Sequence, residues 1–379
     1  FRISCFFDRI NLMRILSFSL EQFRSFTRLE VDLEGPNVHV LLGPNGAGKT
    51  NVLEGLCVLS LTRSFLSVEE ADIIQWGKEF YRVKAQLEDD HGEKSAVEVV
   101  SQILPRKQKA CFINDVKKSL SETVGHLPTV AFLPQDLELF IGSPAGRRRF
   151  LDLLLCQVSP EYAQALSQYL KILKQRNALL KKISEGVAKR GDLQQWDILL
   201  SQSSAIVTLK RLELMEVFQC TLTEELQSLG ELWKEAVLVY LRKGEARTEE
   251  DLIQEMQELL KHCQERDVIL QSTTVGPHRD DWRIDIDGRP LVTFASRGQQ
   301  RAAVLALLFL KVSFLELRRG EKPVVLLDDV FSELDDNHQS ALLRCFDDYQ
   351  VIITATHVPQ ELEGAKVWEM GKMGKCLTK

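Results

Sequence analysis

Apolar and polar residues alternate in two short runs across Met13–Leu33, the pattern of strands with one buried face. A compact apolar stretch, Val38–Leu42, then ends at Gly43, and beyond a glycine-rich turn Val52, Leu53, Leu56 and Leu59 recur at helical spacing. Alternation returns in Tyr81–Leu87 and Ala96–Val100, broken by the turn-like Asp89–Asp90–His91–Gly92. From Phe150 to about Cys263 the period becomes helical and nearly free of Pro and Gly. Tyr162, Leu166, Tyr169, Leu173, Leu180 and Ile183 form one stripe, and Leu209, Leu212, Met215, Phe218, Leu222, Leu226 and Leu229 a second. Thr248, with Asp251 three residues on, predicts the N-cap of a third helix carrying Leu252, Met256, Leu259 and Cys263. After Thr273 strands resume. Arg283–Ile286, the Asp287–Gly288 turn and Pro290–Phe294 read as a hairpin, Gln299–Leu317 as an apolar helix, and Val324–Leu327 and Val351–Ala355 as buried strands around a helix near Gln339–Phe346. The expected architecture is α/β, with a mostly α-helical arm (151–272) inserted between an N-terminal part (13–150) and a C-terminal part (273–379) of one head. Residues 1–12 read as a leader or expression remnant and are set apart from the fold.

Composition adds limits. With 379 residues, 44% of them hydrophobic, the chain has room for two or three domains and a core that needs no covalent staples. Its eight cysteines are scattered without a Cys-x-x-Cys pair, which argues against a disulfide framework or zinc site and for reduced thiols in the cytoplasm. The net charge of −6 leaves no global basic footprint, so any nucleic-acid role must rest on local patches. Those available are Arg106–Lys107–Gln108–Lys109, Lys117–Lys118 and Arg147–Arg148–Arg149 in the head, and Lys171, Lys174, Arg176, Lys181 and Lys182 in the arm. Such clusters also arise as plain solvated faces. No apolar run approaches a membrane span, so no membrane partner is expected.

The chemistry concentrates in three places. Gly43–Pro44–Asn45–Gly46–Ala47–Gly48–Lys49–Thr50 fits the complete phosphate-loop pattern and lies between an apolar strand and a helix. Glycines let backbone N–H groups converge on a phosphate chain, Lys49 supplies charge to the β- and γ-phosphates, and the Thr50 hydroxyl can bind Mg²⁺. Val324–Leu327 delivers Asp328 and Asp329 to the C-terminal end of a strand, where ligands of open α/β sheets bind. Asp328 suits the Mg²⁺ shell, and Asp329 suits the catalytic task of orienting or deprotonating a water. Ser296–Arg297–Gly298–Gln299–Gln300 opens the apolar helix, as an anion site or a simple Ser cap.

The order of these parts, followed by Ser332–Glu333–Leu334–Asp335 and by His357 after Val351–Ala355, resembles the ABC ATPase series. That resemblance implies a Rad50/SMC-like head binding ATP and Mg²⁺, a homodimer in which Ser296, Gly298 and Gln299 cap the partner's γ-phosphate, Asp335 coupling the two sites, and His357 as a second catalytic residue at the γ-phosphate. Within the series, Gln22–Phe23–Arg24–Ser25–Phe26, the loop continuing into Asn51, Gly142–Ser143–Pro144 with Arg147–Asp152, Gly276–Pro277–His278–Arg279–Asp280–Asp281, Gly298–Arg301 and Leu327–Asp335 are similar to the RecF family. The similarity runs in order from Met13 to about His357. It implies ATP-dependent binding to double-stranded DNA and single-strand/double-strand junctions at gaps, RecA loading with RecO and RecR, a part in replication, gap repair and SOS induction, and slow hydrolysis as a release switch. Gln135, after Val130–Leu133, stands for the metal-reaching glutamine, and Arg106, Lys107, Lys109, Arg147, Arg148 and Arg149 are the candidate DNA contacts. Arg63–Ser64–Phe65–Leu66 departs from the family's Arg-Ser-His-Arg, and Ala47 stands where Gln is common. A transporter nucleotide-binding subunit is the rival reading; the long helical insert and Gly276–Asp281 count against it. An SMC- or Rad50-type structural head is the other, and Phe150–Cys263 is too short for its heptad arms.

Overall fold

The computed structural model describes residues 11–66, 68–357, 362 and 364–373. The expected leader lies mostly outside these residues, but Asn11–Leu12 pairs in parallel with Glu321–Lys322 and so belongs to the fold rather than apart from it. The chain divides into two compact units, Phe1–Glu138 with Ser228–Glu231 and Arg297–Lys379, and Leu139–Gln227 with Leu232–Ser296. The second is wider at both ends than the expected arm.

The first unit holds a parallel sheet of β1 (Val38–Leu42), β2 (Thr129–Phe132), β3 (Val324–Asp328), β4 (Val351–Ala355) and β5 (Lys366–Glu369), in the order β5-β1-β4-β3-β2. β3 and β4 are buried at every position, which explains their unbroken apolar runs. All five strands point one way, so Leu42, Ala355 and Asp328 arrive at the same edge, with Leu42 opposite Ala355 and Thr354 opposite Asp328. A six-stranded antiparallel sheet takes the order Phe26–Asp32, Arg14–Phe23, Phe80–Glu88, Lys94–Gln102, Gln108–Ile113 and Val116–Lys118. Between the sheets lies α1 (Lys49–Leu61), touching strands of both. A helix covered on two sides must be apolar nearly all round, and α1 is. Phe18, Leu20 and Val83 from the antiparallel sheet, Leu53 and Leu56 from α1, and Leu326 and Ile352 from the parallel sheet form one core. Phe65 joins that core at 3% exposure and Leu66 packs against it. The departure at these two positions is thus a gain of buried apolar surface, on the order of 2 kcal/mol for a side chain of this size.

The second unit is built on α2 (Pro144–Val158), α3 (Pro160–Ser184), α4 (Gln194–Gln219) and α5 (Glu249–Leu270), with α3, α4 and α5 packed on one another. The Thr248 hydroxyl accepts from Asp251 N at 3.2 Å, the predicted cap. The long stripe expected through Leu229 breaks after Gln219 into a separate helix, Leu222–Ser228. The unit is not purely helical: Ala236–Leu241 pairs antiparallel with Asp281–Ile286. The expected hairpin is shorter than its pattern, because only Arg289–Pro290 pairs back and Leu291–Phe294 is a helical turn. Pro290 lacks the N–H needed to carry the ladder on.

Gly276–Asp281 ties this unit together. Gly276 has φ +113, and a Cβ there would stand 2.8 Å from the Tyr169 hydroxyl and 2.9 Å from Met256 Cε. The Pro277 carbonyl accepts from buried Arg211 at 2.8 Å. Asp280 accepts from the Tyr240 hydroxyl at 3.1 Å, and Asp281 receives both ends of the Arg147 guanidinium at 2.7 and 2.8 Å. His278 Nε2 lies 3.0 Å from the Thr273 carbonyl, which can only accept, so the proton sits on Nε2 and Nδ1 takes the Tyr169 hydroxyl at 2.5 Å. A neutral ring makes both bonds. Burial agrees, pushing the imidazole down to about 4.

Candidate phosphate-binding site

The loop between β1 and α1 is shaped by its glycines and by the hairpin behind it. Gly46 and Gly48 have φ of 80 and 90, the left-handed region that glycine enters freely. A Cβ at Gly48 would meet Phe26 Cζ at 2.6 Å and Ser25 Oγ at 3.0 Å, so no larger residue fits. Asn51 Nδ2 donates to Ser25 Oγ at 2.9 Å, fixing the hairpin tip against the start of α1. Arg24 locks the tip from the other side. Its guanidinium binds both oxygens of fully buried Glu54 at 2.7 and 2.6 Å and donates to the Asp72 carbonyl at 2.7 Å. Ser64 donates to the same carboxylate at 2.5 Å. Gln22–Phe26 is therefore the back wall of the loop.

The charged groups converge at the sheet edge. Lys49 Nζ rests on the Gly43 and Pro44 carbonyls at 2.6 and 3.1 Å, a position from which its charge faces the loop's concavity. The Thr50 hydroxyl lies 3.0 and 2.9 Å from the two oxygens of Asp328, although 278 residues separate them in sequence. Thr354, on the strand between, donates to Asp328 at 2.7 Å and accepts from Asp329 N at 2.8 Å. One hydroxyl thus sets the angle of both acids. Asp329 takes a left-handed backbone, φ 48, which Asp tolerates better than most residues. Burial raises its carboxyl above the usual range, Lys49 opposes this, and Asp328 and Glu333 reinforce it. A raised carboxylate beside a cation suits a general base.

Asn45, Gly46, Gly48, Lys49, Thr50, Asn51, Asp328 and Asp329 line a cleft of about 210 Å³. Its donors fit a magnesium ion. Mg²⁺ takes one or two hard protein oxygens and completes its shell with water and phosphate oxygens, and Thr50 with Asp328 offers that pair. Among the described residues no group of three or more His, Cys, Asp or Glu is placed to hold a metal ion.

The other expected residues are dispersed. Gln135 is exposed on the turn Pro134–Glu138 and is not among the residues lining the cleft; Asp136 turns that segment by capping Leu133 N at 2.9 Å. Ser296 and Gly298 are exposed where α6 (Arg297–Arg319) begins, and Gln299 donates to Glu231 at 3.1 Å. Asp335 caps α7 (Asp336–Cys345), accepting from His338 N at 3.0 Å. His357 is exposed two residues beyond β4. Of the expected DNA contacts, three are engaged inside the protein. Lys109 binds Glu70 at 2.6 Å and the Thr62 carbonyl at 2.7 Å. Arg147 is held by Asp281 and by the carbonyls of Leu139, Phe140 and Gly142, and Arg148 donates to the Asp280 carbonyl at 2.8 Å. Arg147–Arg149 moreover lies in the second unit, not in the head. Arg149 is half-buried, while Arg106 and Lys107 are exposed on a turn of the antiparallel sheet.

Pattern reading missed two kinds of residue. Thr354 was visible as the one hydroxyl in a buried apolar strand. Arg24 stood in the Gln22–Phe26 segment, but its pairing with Glu54 carried no local signal, because it depends on contact across the core.

Comparison with known proteins agrees with this geometry. The family described as RecF/RecN/SMC N terminal domain matches residues 14–374. The DNA replication and repair protein RecF of Heliobacterium modesticaldum is 34% identical over 371 residues, which cover 94% of this chain and 97% of the relative. RecF of Moorella thermoacetica is 37% identical over 358 residues, covering 93% and 94%. A solved structure of the recombination mediator protein RecF with ATPrS, described in the RecFOR pathway, superimposes with a TM-score of 0.87 at 29% identity, covering 96% of this chain and 97% of that one. The corresponding RecF–ATP structure gives 0.83 at 30% identity, covering 92% and 93%. With its phosphate loop, acidic pair and inserted arm in the same order over nearly its whole length, the chain belongs to the RecF family.

Proposed function

We propose that this chain is an ATP-gated DNA-binding recombination mediator of the cytoplasm. It dimerises on ATP at gapped or junction DNA and, with RecO- and RecR-type partners, helps load RecA in replication-linked gap repair and SOS induction. The observation that carries the reading is the meeting of the Thr50 hydroxyl with both oxygens of Asp328, which unites phosphate loop and acidic strand in one cleft. Support comes also from family membership and from the ATP-type ligands of the two solved relatives.

In this reading the loop amides and Lys49 bind the phosphate chain, and Thr50 with Asp328 holds Mg²⁺, which neutralises phosphate charge when bound. Asp329 accepts a proton from the attacking water. Ser296, Gly298 and Gln299, at the start of α6, serve a second copy's nucleotide in this reading. Asp335, which caps α7, couples the two sites, and His357, exposed beyond β4, contacts the γ-phosphate. Hydrolysis then acts as the release step. No helix among the described residues is long and apolar enough to cross a membrane.

DNA contact falls to Arg106 and Lys107, with Arg149 at the margin. The test is fluorescence anisotropy of a gapped duplex with ATP or ADP over a range of salt. Arg106→Glu with Lys107→Glu is expected to weaken ATP-state binding and flatten the log–log salt slope by about 1 to 2. An unchanged slope in a folded variant places the DNA elsewhere.

A further inference from the structure

The second unit contains a cavity of about 280 Å³ that the nucleotide chemistry does not use. Its floor is the Thr274–Asp280 segment, with walls from α4, α5 and the residues after strand Ala236–Leu241. Apolar surface comes from Leu252, Met256, Leu259 and Val275, and Leu241 stands at the mouth at 36% exposure. Thr208 lines the wall at 5% exposure and adds a hydroxyl to the lining.

The charges are lopsided. Five charged residues line the cavity, Arg242, Lys243, Glu255, Arg279 and Asp280. Both acids are taken. Glu255 pairs with Arg242 and accepts from Glu245 N and Ala246 N at 2.6 and 3.0 Å, while Asp280 accepts from Tyr240. Lys243 is exposed and has no ion-pair partner among the described residues. Arg279 is exposed too, and its guanidinium donates only to neutral acceptors, the Thr273 carbonyl at 3.2 Å and the Ser272 hydroxyl at 3.0 Å. The rim therefore carries uncompensated positive charge over an apolar, hydroxyl-bearing floor.

Charge chooses among occupants: a cavity of about 280 Å³ with an apolar floor under a basic rim complements an apolar side chain flanked by carboxylates. We propose that the second unit docks a short acidic–apolar segment of a partner protein, with an aliphatic side chain against Met256, Leu259 and Val275 and adjacent carboxylates at Lys243 and Arg279. Thr208 then serves a polar backbone group of the incoming segment. Gly276 bears on the cavity as well, since the Met256 that a side chain there would crowd stands on its wall.

The test is fluorescence anisotropy of the full chain, without nucleotide, titrated against a labelled Glu-Asp-Leu-Leu peptide up to about 1 mM. Saturable binding is expected. It should be lost when the leucines are replaced by serine or the acids by lysine, and weakened about tenfold in Lys243→Glu, whose exposed position leaves the fold intact. An excess of short duplex DNA should not displace the peptide. The proposal is overturned if the peptide does not saturate, if the lysine peptide or Lys243→Glu binds equally well, or if duplex competes, since a rim that reads only phosphate charge is then the simpler account.

Discussion

At Asp329 the backbone turns left-handed, its N–H is held by Thr354, and its carboxyl sits near both Lys49 and Asp328. A carboxylate held this way can take a proton from water without leaving its place. Asn keeps the shape and tolerates the same φ, so Asp329→Asn should bind ATP as before while hydrolysing it about 10²-fold more slowly. Single-turnover hydrolysis beside equilibrium nucleotide titration separates the two; a loss of binding equal to the loss of rate would make Asp329 a binding group instead. The local sequence announced these residues because phosphate loops and acid-ended strands are contiguous signals. It stayed silent about Thr354's double duty and about the pairing of Arg24 with Glu54, whose distance of 30 positions is closed only by the packing of α1 against the antiparallel sheet.

At the scale of elements, the Gly276–Asp281 segment gives the second unit its rigidity and makes it sensitive to acid. His278 is neutral in the fold at about 4, against an unfolded value near 6.5. Between these values the unfolded chain binds a proton that the folded chain refuses, so stability is lost as pH falls from about 6.5 to 4, on the order of 3 kcal/mol for one such ring. His39, also lowered to about 4 by burial on β1, acts in the same direction in the first unit. Urea midpoints of wild type and His278→Gln at pH 7 and pH 4.5 should differ, with a shallower pH dependence in the variant; equal slopes would mean His278 is already charged in the fold. The helices of this unit were plain in the 3.6-residue stripes. Its strand pairing was not, because Ala236–Leu241 and Asp281–Ile286 meet only through tertiary contact. The basic run Arg147–Arg149 was misplaced for the same reason: two of its guanidiniums find Asp281 and the Asp280 carbonyl, more than 130 positions away.

For the whole molecule, the phosphate loop, Asp328 and Asp329 share one cleft in the first unit, while Ser296, Gly298 and Gln299 stand where α6 begins rather than in the cleft lining. On the proposed function, these residues would cap the nucleotide of a second copy. On that reading, ATP in the cleft drives the pairing of two copies. Light scattering of wild type with ATP, wild type with ADP, and Lys49→Ala with ATP tests it most directly, each with and without a gapped duplex. A doubled mass is expected for wild type with ATP alone among the three, with DNA retained while the dimer lasts. A mass and DNA occupancy indifferent to nucleotide, or a Lys49→Ala protein that dimerises like wild type, would contradict it.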